Sequence, residues 1–284
     1  MLGIVANPRR MIVVSDSHLT RRAPETDRNW SAVLRYVWSA KPDLLVHAGD
    51  LSLDGAHDQD DLDYARSRLD LLEVPWLVVP GNHDVGDNPS TLASGHAPID
   101  GSRRERWLAT VGMDRWAFEA GSWRLIGINA QLFGSGLAAE AEQWSWLESE
   151  LHTAPASARV ALVTHKPIAA ADDAELAAAP VYRYVPADAR RRLTELTRSR
   201  RIDLVLSGHV HQRRELHWDG TTHLWVPTTW AVLPDTAQAT VGIKRSGILA
   251  VEFTGTGEAR HEFIVPDGLQ QMTIATDIPD PYRR

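Results

Sequence analysis

The stretch PWLVVPGNHD, residues 75–84, runs a short apolar segment straight into an amide, an imidazole and a carboxylate. A segment such as Trp76-Leu77-Val78-Val79 belongs inside a β-sheet. Asn82, His83 and Asp84 would then stand at the end of a strand, where α/β proteins place their chemistry. Pro80-Gly81-Asn82 is also ordinary turn material. What decides between a turn and a site is whether other strands end the same way.

The flanking sequence supplies those strands. Residues 11–15 read as a short buried strand. Thr26 or Asp27 can cap a helix in which Trp30, Val33, Leu34, Val37 and Trp38 recur at helical spacing. Residues 43–47 form a second strand, residues 59–73 have a helical period, and residues 75–79 form the third strand. The order β-α-β-α-β implies parallel strands with crossover helices. A Gly-, Pro-, Asn- and Ser-rich loop follows over residues 85–102, long enough to suspect a role over a site. Further on come a short helix (103–109), a hairpin around Gly121-Ser122, a helix (138–152) and a strand (159–164). A basic helix starts at Pro186, another strand covers 202–207, and residues 213–265 read as β-strands with turns. Residues 266–284 read as a C-terminal tail, with no domain boundary before them, so 1–265 is expected to be a single domain.

The strand ends share a pattern. Residues 11–15 lead into Asp16-Ser17-His18, and residues 44–48 into Gly49-Asp50. Residues 76–79 lead into Gly81-Asn82-His83-Asp84, residues 160–164 into His165, and residues 204–207 into Gly208-His209-Val210-His211. Each alone is weak: a short acid before His often caps a helix, and a lone His is more often a satisfied core residue. Five together, all at strand ends, are not coincidence. Parallel strands in one sheet would bring these ends to one edge. The donors are Asp16, His18, Asp50, Asn82, His165, His209 and His211: two carboxylates, one amide oxygen and four imidazoles. That mixture suits Mn, Fe or Zn better than Ca or Mg alone. Seven side chains exceed the needs of one ion and fit two ions with a shared carboxylate.

The set Asp-x-His, Gly-Asp, Gly-Asn-His-Asp, His, Gly-His-x-His resembles the calcineurin-like metallophosphoesterase superfamily over residues 11–211. The resemblance implies an α/β fold, a four-layer α/β/β/α sandwich of two mixed β-sheets flanked by helices. It implies that Asp16, His18 and His211 hold one metal, that Asn82, His165 and His209 hold the other, and that Asp50 bridges them. It makes His83 a general acid or charge stabiliser beside the phosphate, with Asp84 orienting it. The implied reaction is phosphoester hydrolysis by a metal-bridging hydroxide. Asp16-Ser17-His18-Leu19 and Gly49-Asp50-Leu51 look most like the bacterial branch of class III cyclic-nucleotide and glycerophosphodiester phosphodiesterases. Many members of that branch carry a second His after the fourth-motif His; Lys166 stands there instead, either as a cation for an anionic substrate or as a solvent-facing residue. A phosphomonoesterase or nuclease on the same core, or a non-catalytic scaffold protein, is the alternative.

Composition narrows the partners. A hydrophobic content of 43 % and a charged content of 24 % describe an ordinary globular chain. The net charge of −7 argues against a dedicated nucleic-acid binder. Two basic clusters, 190–192 and 198–201, read as solvated helix faces. With no cysteine, disulfides and thiolate metal sites are excluded and a cytoplasmic location is the default. The apolar stretch 2–6 is too short for a signal peptide, and no segment is long enough for a membrane span. The expected partner is a small-molecule phosphoester; a homo-oligomer is left open. Trp230 could stack a base, but core packing is the better reading for most of the 11 tryptophans. His57, His96 and Arg103-Arg104 lie in loops that could line the entrance to the site, with exposure without a role the better reading for each, and His47, His152, His217, His223 and His261 read as structural.

Overall fold

Alternation along the strands builds the layers. In β1 (Arg10–Val14) all four residues after Arg10 are buried. A strand buried on both faces needs cover on both. Ile12 and Val14 share one core with Trp30, Val33 and Val37 of α1 (Pro24–Ala40) and with Leu62 and Leu69 of α2 (Gln59–Leu69). Met11 and Val13 share another with Leu125, Val163, Leu204 and Leu206, which belong to a second sheet. The computed structural model describes residues 8–92, 96–200 and 202–278.

The first sheet contains β1, β2 (Leu44–His47), β3 (Trp76–Val78), β10 (Ile248–Phe253) and β11 (Ala259–Ile264), in the order β11-β10-β1-β2-β3. β1, β2 and β3 are parallel; β10 and β11 run antiparallel to their neighbours. The second sheet contains β4 (Trp116–Ala120), β5 (Trp123–Gly127), β6 (Arg159–Thr164), β7 (Ile202–Ser207), β8 (Arg214–Trp218) and β9 (Thr221–Trp225). Its order is β4-β5-β6-β7-β9-β8, parallel from β5 through β9. The remaining helices are α3 (Asn82–Val85), α4 (Gly101–Thr110), α5 (Ala138–Thr153), α6 (Asp173–Ala178) and α7 (Ala187–Arg200). Trp144 and Leu147 of α5 and Leu193 of α7 share a third core with Leu162 and Val205, the outward residues of β6 and β7. The result is the expected sandwich of helices, two mixed sheets and helices.

The expected elements are present, with four differences. α1 starts at Pro24 rather than after Thr26, because proline's fixed φ and missing N–H suit a first helical turn. The five strand ends come from two facing sheets rather than from one edge. The loop after Asp84 is pinned: Asn88 Nδ2 donates to the carbonyls of Ala130, Gln131 and Phe133 at 2.8, 3.1 and 2.9 Å. The expected tail is packed as far as residue 278. Met272 and Ile274 are buried with Leu53, Trp230 and Ala231, and the Gln270 N–H bonds Asn29 Oδ1 at 2.9 Å. Residues 1–7 and 279–284, where the readings of the N-terminus and of the tail's last prolines fall, lie outside the described residues.

His223 on β9 is buried in this frame, and burial, helped by His217, pushes its pKa from 6.5 down to about 4. The unfolded chain therefore takes up a proton below pH 6.5 that the folded imidazole refuses. That contribution to stability is whole above about pH 6.5 and is lost as pH falls towards 4. Urea unfolding across this window is expected to show a His223→Gln variant with a pH slope about one proton shallower than the parent's. An unchanged slope would remove His223 as a source of acid sensitivity.

Candidate metal centre

The chain turns sharply where β1, β2 and β7 end. Five of the eight non-glycine residues with left-handed φ among the described residues are Asp16, His18, Asp50, His209 and His211, at +52°, +45°, +53°, +69° and +57°. Such backbones cost on the order of 1 kcal/mol or more each, and they persist only where surrounding contacts impose them. Here the loops hold one another. The Asp16 N–H bonds the Gly49 carbonyl at 3.0 Å and the His18 N–H the Asp50 carbonyl at 3.1 Å. His47 sits beneath them: its Nδ1 accepts from the Gly49 N–H at 3.2 Å and its Nε2 meets Ser17 Oγ at 2.7 Å. Gly81 is required by close approach, since a Cβ there would lie 2.1 Å from Asp50 Oδ1. At Gly208 a Cβ would lie 1.8 Å from Ser15 Oγ, so the two sheets could not close at the site.

Asp84 has a different task from the one expected. Its carboxylate accepts from the N–H groups of Leu51, Ser52 and Gly81 at 3.1, 2.8 and 2.9 Å and from Ser52 Oγ at 2.7 Å. The His83 ring is oriented instead by the Leu53 carbonyl, 2.8 Å from Nδ1. Asp84 thus fixes the backbone between Asp50 and Asn82, because a buried carboxylate needs several donors and the nearest are amides.

The structure brings all seven expected donors together. Three groups of side chains offer ligand atoms within 4.8 Å of one another: Asp16, His18 and His211; His18, Asp50 and His83; and Asp50, His165 and His209. Asp50 Oδ2 lies 3.1 Å from His165 Nε2 and 3.8 Å from His18 Nε2, between the two ends of the cluster. Its other oxygen accepts from the His83 N–H at 2.9 Å. Asn82 Oδ1 lies 3.2 Å from His165 Nε2. His211 Nε2 lies 3.1 Å from His18 Nε2 and 3.5 Å from Asp16 Oδ1.

Three imidazoles each spend one nitrogen on a backbone carbonyl: His165 on Ala48 at 2.9 Å, His211 on Ala231 at 2.6 Å and His209 on Tyr182 at 2.9 Å. The donated proton leaves the other nitrogen with a lone pair, the arrangement that orients metal-binding histidines. Lone pairs aimed at one another and at carboxylate oxygens repel unless a cation or proton lies between them. The donor set therefore fits divalent ions, by chemistry as well as by spacing.

The electrostatics agree. Burial alone would raise the pKa of Asp50, but the imidazoles of His165 and His83 hold it well below the usual carboxylate range. Burial likewise works to neutralise His165, but Asp50 outweighs it and raises His165 to about 9. A proton on His165 does there what a metal ion would do. His18 and His209 are pushed well below 6.5, chiefly by burial.

Other residues fall where sequence reasoning had not put them. His96 faces the site, its ring 5.1 Å from that of His83 and its Nδ1 3.4 Å from Asn82 Nδ2. Lys166 does not face solvent: it is fully buried and ion-paired with Asp87, which lines the cleft. Trp230 is also fully buried, its ring 5.1 Å from His18, which makes it packing for the site rather than a platform for a base. Arg103 and Arg104 are tied to Asp100 and Asp114, and His57 to Asp54. A lone His in a loop of glycines and prolines carries no periodicity, so the sequence offered His96 at the entrance only as the lesser of two readings.

A two-sheet sandwich with a cage of oxygen and imidazole donors across its strand ends is the frame of a metal-dependent hydrolase of phosphoric esters. The sequence model described as "Calcineurin-like phosphoesterase" matches residues 9–213, and the chain belongs to that family. A "Probable cyclic nucleotide phosphodiesterase" of Moraxella catarrhalis (strain BBH18) is 29 % identical over 221 residues, 73 % of each chain. The "3',5'-cyclic adenosine monophosphate phosphodiesterase CpdA" of Escherichia coli (strain K12) is 25 % identical over 232 residues, 78 % of this chain and 76 % of that one. Among solved structures, a purple acid phosphatase from yellow lupin (Lupinus luteus) superposes with a TM-score of 0.62 at 13 % identity, over 96 % of this chain and 55 % of that one, a likeness of fold. No helix among the described residues is long and apolar enough to cross a membrane.

Two substitutions probe the frame of the site. Gly81→Ala is expected to keep the far-UV circular dichroism and abolish diester hydrolysis, because its Cβ displaces Asp50; parent activity would show that the loop can give way. Asp87→Ala strands the Lys166 ammonium and is expected to cost about 3 kcal/mol in urea unfolding, much of it recovered in Asp87→Leu/Lys166→Met. A parent-like midpoint for the single variant would mean that Lys166 has another counter-charge.

Proposed function

We propose that the protein hydrolyses small phosphodiesters, of the cyclic-nucleotide or glycerophosphodiester kind, at a pair of transition-metal ions. The observation that carries this reading is the position of Asp50, whose Oδ2 lies within reach of both ends of a seven-donor cage. Asp16, His18 and His211 would hold one ion and Asn82, His165 and His209 the other, with Asp50 shared. Mn, Fe and Zn suit these donors. Such ions, when bound, acidify water and neutralise charge on the phosphoryl oxygens.

The chain's own residues do the rest. Water adds to phosphorus opposite the departing oxygen, and the bond from phosphorus to that oxygen breaks. The Leu53 carbonyl accepts a hydrogen bond from His83 Nδ1–H, so the other ring nitrogen is turned to the cleft and, protonated, gives its proton to the leaving alkoxide. His96 packs against the His83 ring and limits its rotation. Asp84 keeps the turn carrying Asn82 and His83 in register with Asp50.

The names of the relatives support a diester, and a cyclic nucleotide among diesters. Against a nuclease, three cations of the basic helix are already engaged by carboxylates among the described residues: Arg191 by Asp188, Arg192 by Glu148 and Arg198 by Asp219. The absence of cysteine fits a cytoplasmic place of work.

Bis(p-nitrophenyl) phosphate, p-nitrophenyl phosphate, cyclic AMP and glycerophosphodiesters, each tried with Mn or Zn after chelation, test the reading. Diesters are expected to turn over, with monoesters slower; hydrolysis of monoesters alone, or none with two ions bound, would refute it. Asp50→Ala and Asn82→Ala are expected to lose nearly all activity while staying folded. His83→Ala should retain its metals and slow by about a hundredfold or more on poor leaving groups, and less on p-nitrophenolate. An equal loss on both would remove His83 as the acid.

A further inference from the structure

Two Lys or Arg side chains are buried among the described residues, Lys166 at 0 % and Arg183 at 5 % exposure. Lys166 is paired with Asp87. Among the described residues no carboxylate forms an ion pair with Arg183. Asp87 borders the same cleft, but its Oδ1 is engaged by the Lys166 ammonium and by the Asn88 N–H at 2.7 Å. A buried cation without a counter-charge is costly, and this protein avoids it at Lys166. The exception lies in the wall of the cleft that holds Asp50, Asn82, His83 and His209.

The backbone around Arg183 is fixed on both sides. One residue earlier, the Tyr182 carbonyl receives the Nε2 proton of His209 at 2.9 Å. One residue later, the Tyr184 hydroxyl donates to Glu175 at 2.8 Å, and Glu175 is clasped by both terminal nitrogens of Arg214 at 2.6 and 2.8 Å. The Val185 N–H reaches the Pro167 carbonyl at 3.0 Å, two residues beyond His165. Arg183 therefore projects from a segment tied directly to a site imidazole. A guanidinium is a planar fork of donors, the geometry that matches phosphate oxygens.

We propose that Arg183 is a substrate-binding residue whose guanidinium, unpaired in the cleft wall, donates to the non-bridging oxygens of the phosphoester. This rests on the phosphoesterase reading above for the identity of the anion. It assigns a role to a residue outside the strand-end cage, on the connection between α6 and α7. Because the charge belongs to the chain, it acts on an anion whether or not metals are bound.

The test uses the full-length protein and its Arg183→Gln and Arg183→Lys variants, with inorganic phosphate as the direct probe. For Arg183→Gln we expect two ions per chain as in the parent and a thermal midpoint at or above the parent's. We expect the KM for bis(p-nitrophenyl) phosphate and the dissociation constant for phosphate, by calorimetry on loaded and metal-stripped protein, both to rise about tenfold or more. Arg183→Lys should regain part of both. If KM and phosphate affinity stay at parent values in an active enzyme, the inference is overturned and the phosphoesterase reading stands. If the parent hydrolyses no ester but loses phosphate on substitution, that reading falls and the anion site stands. Should Arg183→Gln not fold, Arg183→Lys decides alone: a threefold or greater rise supports the role and the parent value overturns it.

Discussion

The carboxylate of Asp50 is the constraint around which the molecule is arranged. It is 2 % exposed, and a lone anion so placed would be untenable without compensation. One oxygen is held by the His83 amide, and the other is shared between imidazoles delivered by different sheets, His18 from the first and His165 from the second. Without His165 from the second sheet, that charge loses its chief partner. The packing of the two sheets and the existence of the site are therefore one condition.

That condition explains where the chain is strained and where it is small. Left-handed backbones at Asp16, His18, Asp50, His209 and His211 aim side chains inward from strands that would otherwise carry them past one another. The strain is sustained by a buried hydrogen-bonded layer beneath the cage: His47 with Ser17 and Gly49, and Asp84 with the amides of Leu51, Ser52 and Gly81. Gly81 and Gly208 let neighbouring loops approach to distances that any side chain would block. The geometry of the cage is thus set by groups that lie outside it, as is common around such sites.

Elements remote in sequence finish the site from outside. Residues 266–278 fold back against Trp230 and Ala231. Ala231 then supplies the carbonyl that orients His211, and Trp230 packs on His18. Asn88 fastens the loop after Asp84 to the segment 130–133, and the Lys166–Asp87 pair ties the same loop to the end of β6. The segment 180–185 closes the wall with Tyr182 and Arg183. Each contact rigidifies a donor already placed by a strand.

The sequence by itself determined the strands, the order of β1 to β3 with their helices, and which seven polar side chains meet at the strand ends. Apolar runs of strand length that each stop at Gly, Asp, Asn or His leave a signal in the linear order of residues. Helical periodicity also placed α1 and α2, because one face of each had to be apolar, and Pro186 marked the start of α7. Tertiary structure alone decided the rest. That the donor strands belong to two sheets depends on which apolar faces pack together, and alternation does not name a strand's partner. The work of Asp84, the inward turn of His96, the burial of Lys166 and the unpaired guanidinium of Arg183 depend on neighbours tens of residues away. A polar side chain has the same local signature whether it ends in water, in an ion pair or in a cleft, so only the folded chain distinguishes them.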